Sequence, residues 1–224
     1  MKILSVAPVR VDAAELARRR DRYQQLSPLG MEFTLEPAGR GAPGQFATAD
    51  DIAASTESVT EALVAPPGGG FAYRMPDCVL DPGVPLTPDG SPVPTVGMLR
   101  LTAAHLVATG RRFGAVTRNR AIGDALADRI EEYGYGPWFA GVSVLDLDFD
   151  AIPDTGRWNA AVRTALDGFA ARGVTAVVNG CSAVTVEETD ADGAGDEGSP
   201  APITARLVDP ARLALRLLAA GAEV

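Results

Sequence analysis

Cys78 and Cys181 are the only cysteines in the chain and stand 103 positions apart. A secreted disulfide scaffold packs more cysteine into less chain. A zinc site needs a closed cluster of ligands, whereas here the two cysteines and the single His105 are scattered. What two free thiols can do together is move protons. A free thiol has a pKa of about 8.5, and a turn of backbone N–H groups lowers it. Two such thiols, each within about 3–3.5 Å of one carbon, can take a proton from one face and return one to the other. That inverts a stereocentre without a cofactor. The plainer alternative is a pair of small buried hydrophobes.

The flanking residues fit the sharper reading. Cys181 follows the clearest strand pattern of the chain, Val174 to Asn179, and sits between Gly180 and Ser182. Cys78 ends a weaker strand expected over Phe71 to Val79, interrupted by Pro76, and leads into the turn Asp81-Pro82-Gly83. That turn is expected to aim the thiol. Asp77 would oppose thiolate formation if its side chain points inward. Ser182 has a backbone N–H and a hydroxyl to offer a substrate oxygen. Thr117 and Asn119, at a strand end facing the same cleft, are candidates for binding a carboxylate or imide. His105 reads as a packing or surface residue, Trp138 and Trp158 as core or interface, and Arg18-Arg19-Arg20 as a solvated helix face. Arg74 is not expected to meet substrate.

Positioning these groups requires an alternation of strands and helices. Strands are expected from Lys2 to Pro8, Met31 to Leu35, Arg112 to Thr117, Trp138 to Leu145, and Ile203 to Val208. Helices are expected from Asp12 to Leu26, after an Asp50 cap, from Met98 to Gly110, from Ile122 to Gly134, and from Asn159 to Arg172. Asp209-Pro210 gives an N-cap and a first-turn proline for a last helix. Pro66-Pro67-Gly68-Gly69-Gly70 breaks the second helix, and Glu187 to Pro200, with six acids, reads as a surface loop. The order strand, helix, strand, helix, strand, Cys occurs twice, spanning about 75 and about 68 positions. The fold expected is α/β, two pseudo-symmetric lobes with short mostly parallel sheets, and a ligand site in the cleft between them. Residues 1–95 and 203–224 are assigned to the first lobe and 96–202 to the second.

Composition excludes several functions. The 224 residues carry 29 acids against 20 bases, a net charge of −9. That leaves no basic footprint for nucleic acid and disfavours anionic membranes. No run approaches the roughly 18 apolar residues of a membrane span. The first residues read as a buried strand, not a signal peptide, and the sparse, distant cysteines lead to the expectation of a reducing cytoplasmic setting.

The chain resembles the aspartate/glutamate racemase superfamily, and within it the hydantoin racemase branch. Cys78-Val79-Leu80-Asp81-Pro82-Gly83 is similar to that branch's Cys-Phe-x-Asp-Pro-Gly. Pro92 to Met98 resembles its approach to a helix, Arg112 to Thr117 the strand opening its second half, Val177 to Cys181 its second cysteine strand, and Ile203 to Pro210 its closing segment. The resemblance implies Cys78 and Cys181 as paired acid and base, no cofactor and no metal, a small-molecule substrate, and a homo-oligomer. Pro8 and Val79, at the matched positions, are then expected to contact substrate, and Ser182 is expected to do so through its own donors. Pro8 lies in Ala7-Pro8-Val9 where the branch has Asn-Pro-Asn, and Ser182-Ala183-Val184 replaces Ala-Gly-Met. The expected activity is therefore racemisation or epimerisation next to a carbonyl, on a hydantoin-like compound or one related to it. Isomerase or decarboxylase chemistry on the same scaffold, and a non-catalytic ligand-binding relative, are the alternatives.

Overall fold

The computed structural model describes residues 1–64, 70–152, 154–184 and 204–221. The chain begins with β1 (Lys2–Val6), whose last four residues are buried. Asp12 then caps α1 (Ala13–Leu26) by accepting the Glu15 N–H at 2.8 Å. β2 (Glu32–Glu36) returns parallel to β1, α2 (Ala49–Val64) follows, and β3 (Tyr73–Arg74) pairs along the other side of β1. After α3 (Met98–Ala108) the same sequence of elements recurs: β4 (Phe113–Thr117), α4 (Arg120–Glu132), β5 (Phe139–Val144), α5 (Thr155–Ala170) and β6 (Ala176–Asn179). The first sheet has the order β2-β1-β3 and the second begins β5-β4-β6, so the doubling read in the sequence is a doubling of topology.

The likeness extends one step further. Beside β3, Thr95 forms a parallel bridge to Arg74, and α3 follows. Beside β6 lies β7 (Arg206–Val208), also parallel, and α6 (Pro210–Gly221) follows. β7 falls in the segment assigned by sequence to the first lobe, but it hydrogen-bonds to β6 in the second sheet. The return toward the first lobe is made by α6, which packs against α3 and α1. Asp209 caps α6 as its sequence suggests, accepting the N–H groups of Ala211 and Arg212.

The strand expected over Phe71 to Val79 is only two residues long. Pro76 has no N–H to give to a ladder. The chain nevertheless keeps alongside β1, because the N–H groups of Met75 and Asp77 donate to Leu4 and Val6 carbonyls at 2.8 and 3.1 Å. This carries the chain to Cys78 without a regular strand. The cap of α2 also differs: Thr48 and Asp51 form it reciprocally, in place of Asp50. The breaker at 66–69, the acidic run 187–200 and the start of the last strand at Ile203 lie outside the described residues.

Apolar packing does not respect the division into lobes. Ile3, Leu35 and Met75 of the first unit, Phe113, Leu126 and Ala176 of the second, and Leu99 and Leu215 of α3 and α6 form one continuous core. A second core, around Trp158, Val162, Phe169 and Val177, seats α5 on the outer side of the second sheet. Each of these large side chains contributes roughly 1.5–3 kcal/mol on burial.

Candidate active site

Both cysteines line one cavity of about 50 Å³. Cys78 enters from the end of the first sheet and Cys181 from the end of the second, as the strand-end rule for α/β sheets requires. Each thiol sits in the same small turn. The Leu80 N–H points at Cys78 Sγ, 3.4 Å away, and the Ala183 N–H bonds to the Cys181 sulfur. In both cases the donor is two residues beyond the cysteine. Cys78 is buried, Cys181 half-buried, and both are free. Gly180 is required at the second turn, since its N–H donates to the Val116 carbonyl at 2.8 Å and a Cβ there would collide with that oxygen.

Charges around the thiols are unequal. Burial pushes the Cys78 thiol well above the usual thiol range; the Leu80 N–H opposes this, while Asp77, Asp81 and Cys181 add to it. Burial also raises Cys181, but there the Ala183 N–H and the guanidinium groups of Arg19 and Arg118 oppose it, against Asp77.

Asp77 does point inward. It is fully buried, and its carboxylate accepts Arg19 Nη1 at 2.9 Å and the Tyr23 hydroxyl at 2.7 Å. Arg19 Nε also donates to Glu15 at 2.8 Å. The expectation that Arg18-Arg19-Arg20 is a solvated face is thus overturned for Arg19 and in part for Arg18, while Arg20 stays exposed. Arg19 is 3% exposed and lines the cavity, Arg18 donates to the Ala183 carbonyl in the second cysteine turn, and Arg20 grips the Leu35 carbonyl. α1 therefore reaches both cysteine turns from one helix. A direct stitch joins those turns as well, from the Ser182 hydroxyl to the Asp77 carbonyl at 3.1 Å.

Asp81-Pro82-Gly83 does more than turn the chain. Asp81 adopts φ +51°, and its buried carboxylate accepts the N–H groups of Leu99 and Arg100 at the start of α3 and the Tyr133 hydroxyl. Burial raises its pKa to about 6, against those hydrogen bonds. Gly97 is glycine because a Cβ would run into this carboxylate. The turn carrying Cys78 is thereby locked to a helix end.

Pro8, Val79 and Ser182 line the cavity with the cysteines. Thr117 and Asn119 are not among its lining residues. The Thr117 hydroxyl donates to the Asn119 carbonyl, while Asn119 caps α4 through Ile122 N–H and donates to the Phe46 carbonyl at 2.7 Å. Their short polar side chains serve backbone groups, nearby ones and, for Asn119, the Phe46 carbonyl 73 positions away. Arg74 holds Ser91 and the Val93 carbonyl, away from the site. Sequence reading missed Arg118, Phe46, Phe149 and Ile152, all of which line the cavity. Arg118 directly follows a strand-end residue, the one signal that was available. Among the described residues no group of three or more His, Cys, Asp or Glu is placed to hold a metal. No helix among them is long and apolar enough to cross a membrane.

The family model described as Asp/Glu/Hydantoin racemase matches residues 26–218. The chain belongs to this family. No curated protein sequence gives a match. Solved structures share the racemase fold over the whole chain. An allantoin racemase from Pseudomonas fluorescens aligns at TM-score 0.77 and 16% identity, with 91% of its own chain covered. One from Klebsiella pneumoniae aligns at 0.74 and 19% identity, with 88% of its chain covered. A glycine-to-cysteine variant of arylmalonate decarboxylase in a sulfate-associated form aligns at 0.54 and 15% identity over 95% of its chain. All three alignments cover 100% of the present chain. At these identities the likeness to individual structures is one of fold.

Proposed function

We propose that the protein is a cofactor-independent racemase or epimerase in which Cys78 and Cys181 act as acid and base on opposite faces of one carbon. The observation that carries this is the pair of matching turns, each holding a free thiol at a strand end, opening on one cavity from two topologically equivalent units. One cysteine, as thiolate, removes the proton next to a carbonyl, and the electron pair passes to the carbonyl oxygen as an enolate. The other, as thiol, returns a proton to the opposite face. Backbone N–H groups at Val79 and Ser182 are assigned to the developing oxyanion, a contribution of about 3–4 kcal/mol for a well-placed donor. Pro8 and the other apolar lining residues exclude water and strengthen these interactions. The substrate class is a 5-substituted hydantoin or a related carbonyl compound. The reading includes a homo-oligomer working in the reducing cytoplasm, where both thiols stay free.

A second reading is favoured by the setting of Cys78. Burial, with Asp77 and Asp81 nearby, keeps this thiol protonated, so it is suited to donating a proton and ill suited to accepting one. One-way protonation after loss of CO₂, the decarboxylase type of chemistry, needs only that.

The test is deuterium incorporation and optical rotation followed together in D₂O, with enantiopure hydantoins, for wild type, Cys78→Ala and Cys181→Ala. The expected outcome is exchange with inversion in the wild type and a loss of about 10³-fold or more in either variant. Inversion that survives removal of Cys181 would sink the two-base mechanism. Loss of CO₂ from a malonate without inversion would establish the second reading instead.

A further inference from the structure

Arg118 is 6% exposed and lies on the cavity wall beside Cys181. Its neighbours hold it in place without neutralising it. Nη2 donates to the Phe46 carbonyl at 2.7 Å, Nη1 to the Leu147 carbonyl at 3.3 Å, and the Phe149 ring lies 5.6 Å from the guanidinium carbon. Among the described residues no carboxylate lies within ion-pair distance of it. Of the groups that attract it, Cys181 does so only as a thiolate, and Asp148 is 85% exposed and turns toward Arg157 at 3.8 Å. The other guanidinium of the cavity, Arg19, is already matched by Asp77 and Glu15. Among the described residues, Arg118 thus has no standing anionic partner; Cys181 can serve as one only when ionised.

A charge held out of water is costly unless something pairs with it. Two neutral carbonyls and an aromatic face orient the guanidinium and leave part of its donor fork unused. Val9, Leu80, Ile122 and Ile152 add apolar walls, while Asp77 is taken up by Arg19 and Tyr23 and the Ser182 hydroxyl by the Asp77 carbonyl. A planar fork of N–H groups fixed in apolar surroundings matches a carboxylate.

We infer that Arg118 is a specificity-determining residue, and that the substrate carries a carboxylate which this guanidinium holds from the second-lobe side of the cavity. This rests on the two-thiol reading for where the reacting carbon lies. The carboxylate supplies a standing counter-charge, where Cys181 offers one only as its thiolate, and sets which face of the substrate is turned to Cys181. A neutral hydantoin would fill the apolar walls but leave Arg118 unpaired, and would be the poorer substrate.

Binding separates this from the catalytic proposal. Succinate and its neutral counterpart succinamide are titrated calorimetrically into the wild type, Arg118→Gln, Arg118→Lys and the Cys78→Ala/Cys181→Ala double variant. The expected result is succinate bound about tenfold or more tighter than succinamide by the wild type and the double-cysteine variant. The preference disappears in Arg118→Gln and is reduced in Arg118→Lys, which keeps the charge without the fork. Equal binding of the two probes by the wild type, a comparison that needs no variant to fold, overturns the inference. So does a preference that persists in Arg118→Gln. In parallel, deuterium exchange is compared between 5-carboxymethylhydantoin and 5-methylhydantoin. Succinate preference without exchange on either compound would leave the anion site standing and remove the racemase reading. Exchange that favours the neutral compound would do the reverse.

Discussion

The two cysteine turns are built alike and charged differently. Each follows a parallel strand, and each sulfur accepts the N–H two residues on. Cys78, however, is flanked by Asp77 and Asp81, and its turn is bolted to α3 through Asp81. Cys181 has Arg19 and Arg118 as its cationic neighbours. Repetition of backbone made two equivalent places for a thiol, and side chains then made them unequal. Such a pair need not share the work evenly: a thiolate is easier to form at Cys181, and a proton is easier to keep at Cys78.

The largest blow to that arrangement is the loss of Arg19. Its side chain and that of Asp77 are both buried, at 4% and 0% exposure. Arg19→Met strands the Asp77 carboxylate beside Cys78 and is expected to cost about 3–5 kcal/mol, read by denaturant unfolding. A loss under 1 kcal/mol would mean that the pair does not hold the first turn. Next is Asp81, whose folded pKa of about 6 lies above the ordinary 3.8. The native state then binds this proton more tightly than the unfolded chain. Its contribution is complete below the lower value and lost as pH rises through about 6, amounting to roughly 3 kcal/mol over the window. Melting temperatures of wild type and Asp81→Asn, compared from about pH 4 to 7, should converge toward the alkaline end. A constant difference would remove the titration while leaving the cap.

The inequality of the thiols can be read directly. Alkylation with iodoacetamide, mapped by mass spectrometry, is expected to modify Cys181 about tenfold faster than Cys78 and to accelerate with pH at both. The reverse order would break the comparison. The smallest effect is expected of Ser182→Ala, which removes the stitch to the Asp77 carbonyl at a cost of about 1 kcal/mol. A thermal melt resolves that loss, and a neutral result would show that Arg18 and Arg19 alone join the turns.

The doubled topology and the two cysteines were legible because periodicity, capping residues and strand-end position are local. Val174 to Asn179 announces β6 by composition, and Asp209-Pro210 announces α6. The short β3 was not legible as such, since Met75 and Asp77 follow β1 without forming a full ladder. Nor was the partner of β7, because a parallel strand records nothing of which edge it will join. The arginines of α1 failed for a related reason. Three consecutive arginines in a helix point in three directions, and only the fold decides that the middle one meets Asp77, 58 residues away. Thr117 and Asn119 were read as ligand contacts because short polar side chains at strand ends serve caps and cavities equally well.

The apolar core that runs through both sheets and the α3–α6 pair has a bearing on how the protein opens and melts. Two bodies joined by a thin strap can swing apart and unfold in separate steps. Here Ile3 and Phe113 belong to the same packed interior, and α6, the last element, closes back over α1 through the Arg22–Asp209 pair at 2.7 Å. Cutting the chain between the units would expose this interior on both pieces. The molecule should therefore lose its heat-absorbing structure in a single calorimetric transition, with neither half melting ahead of the other.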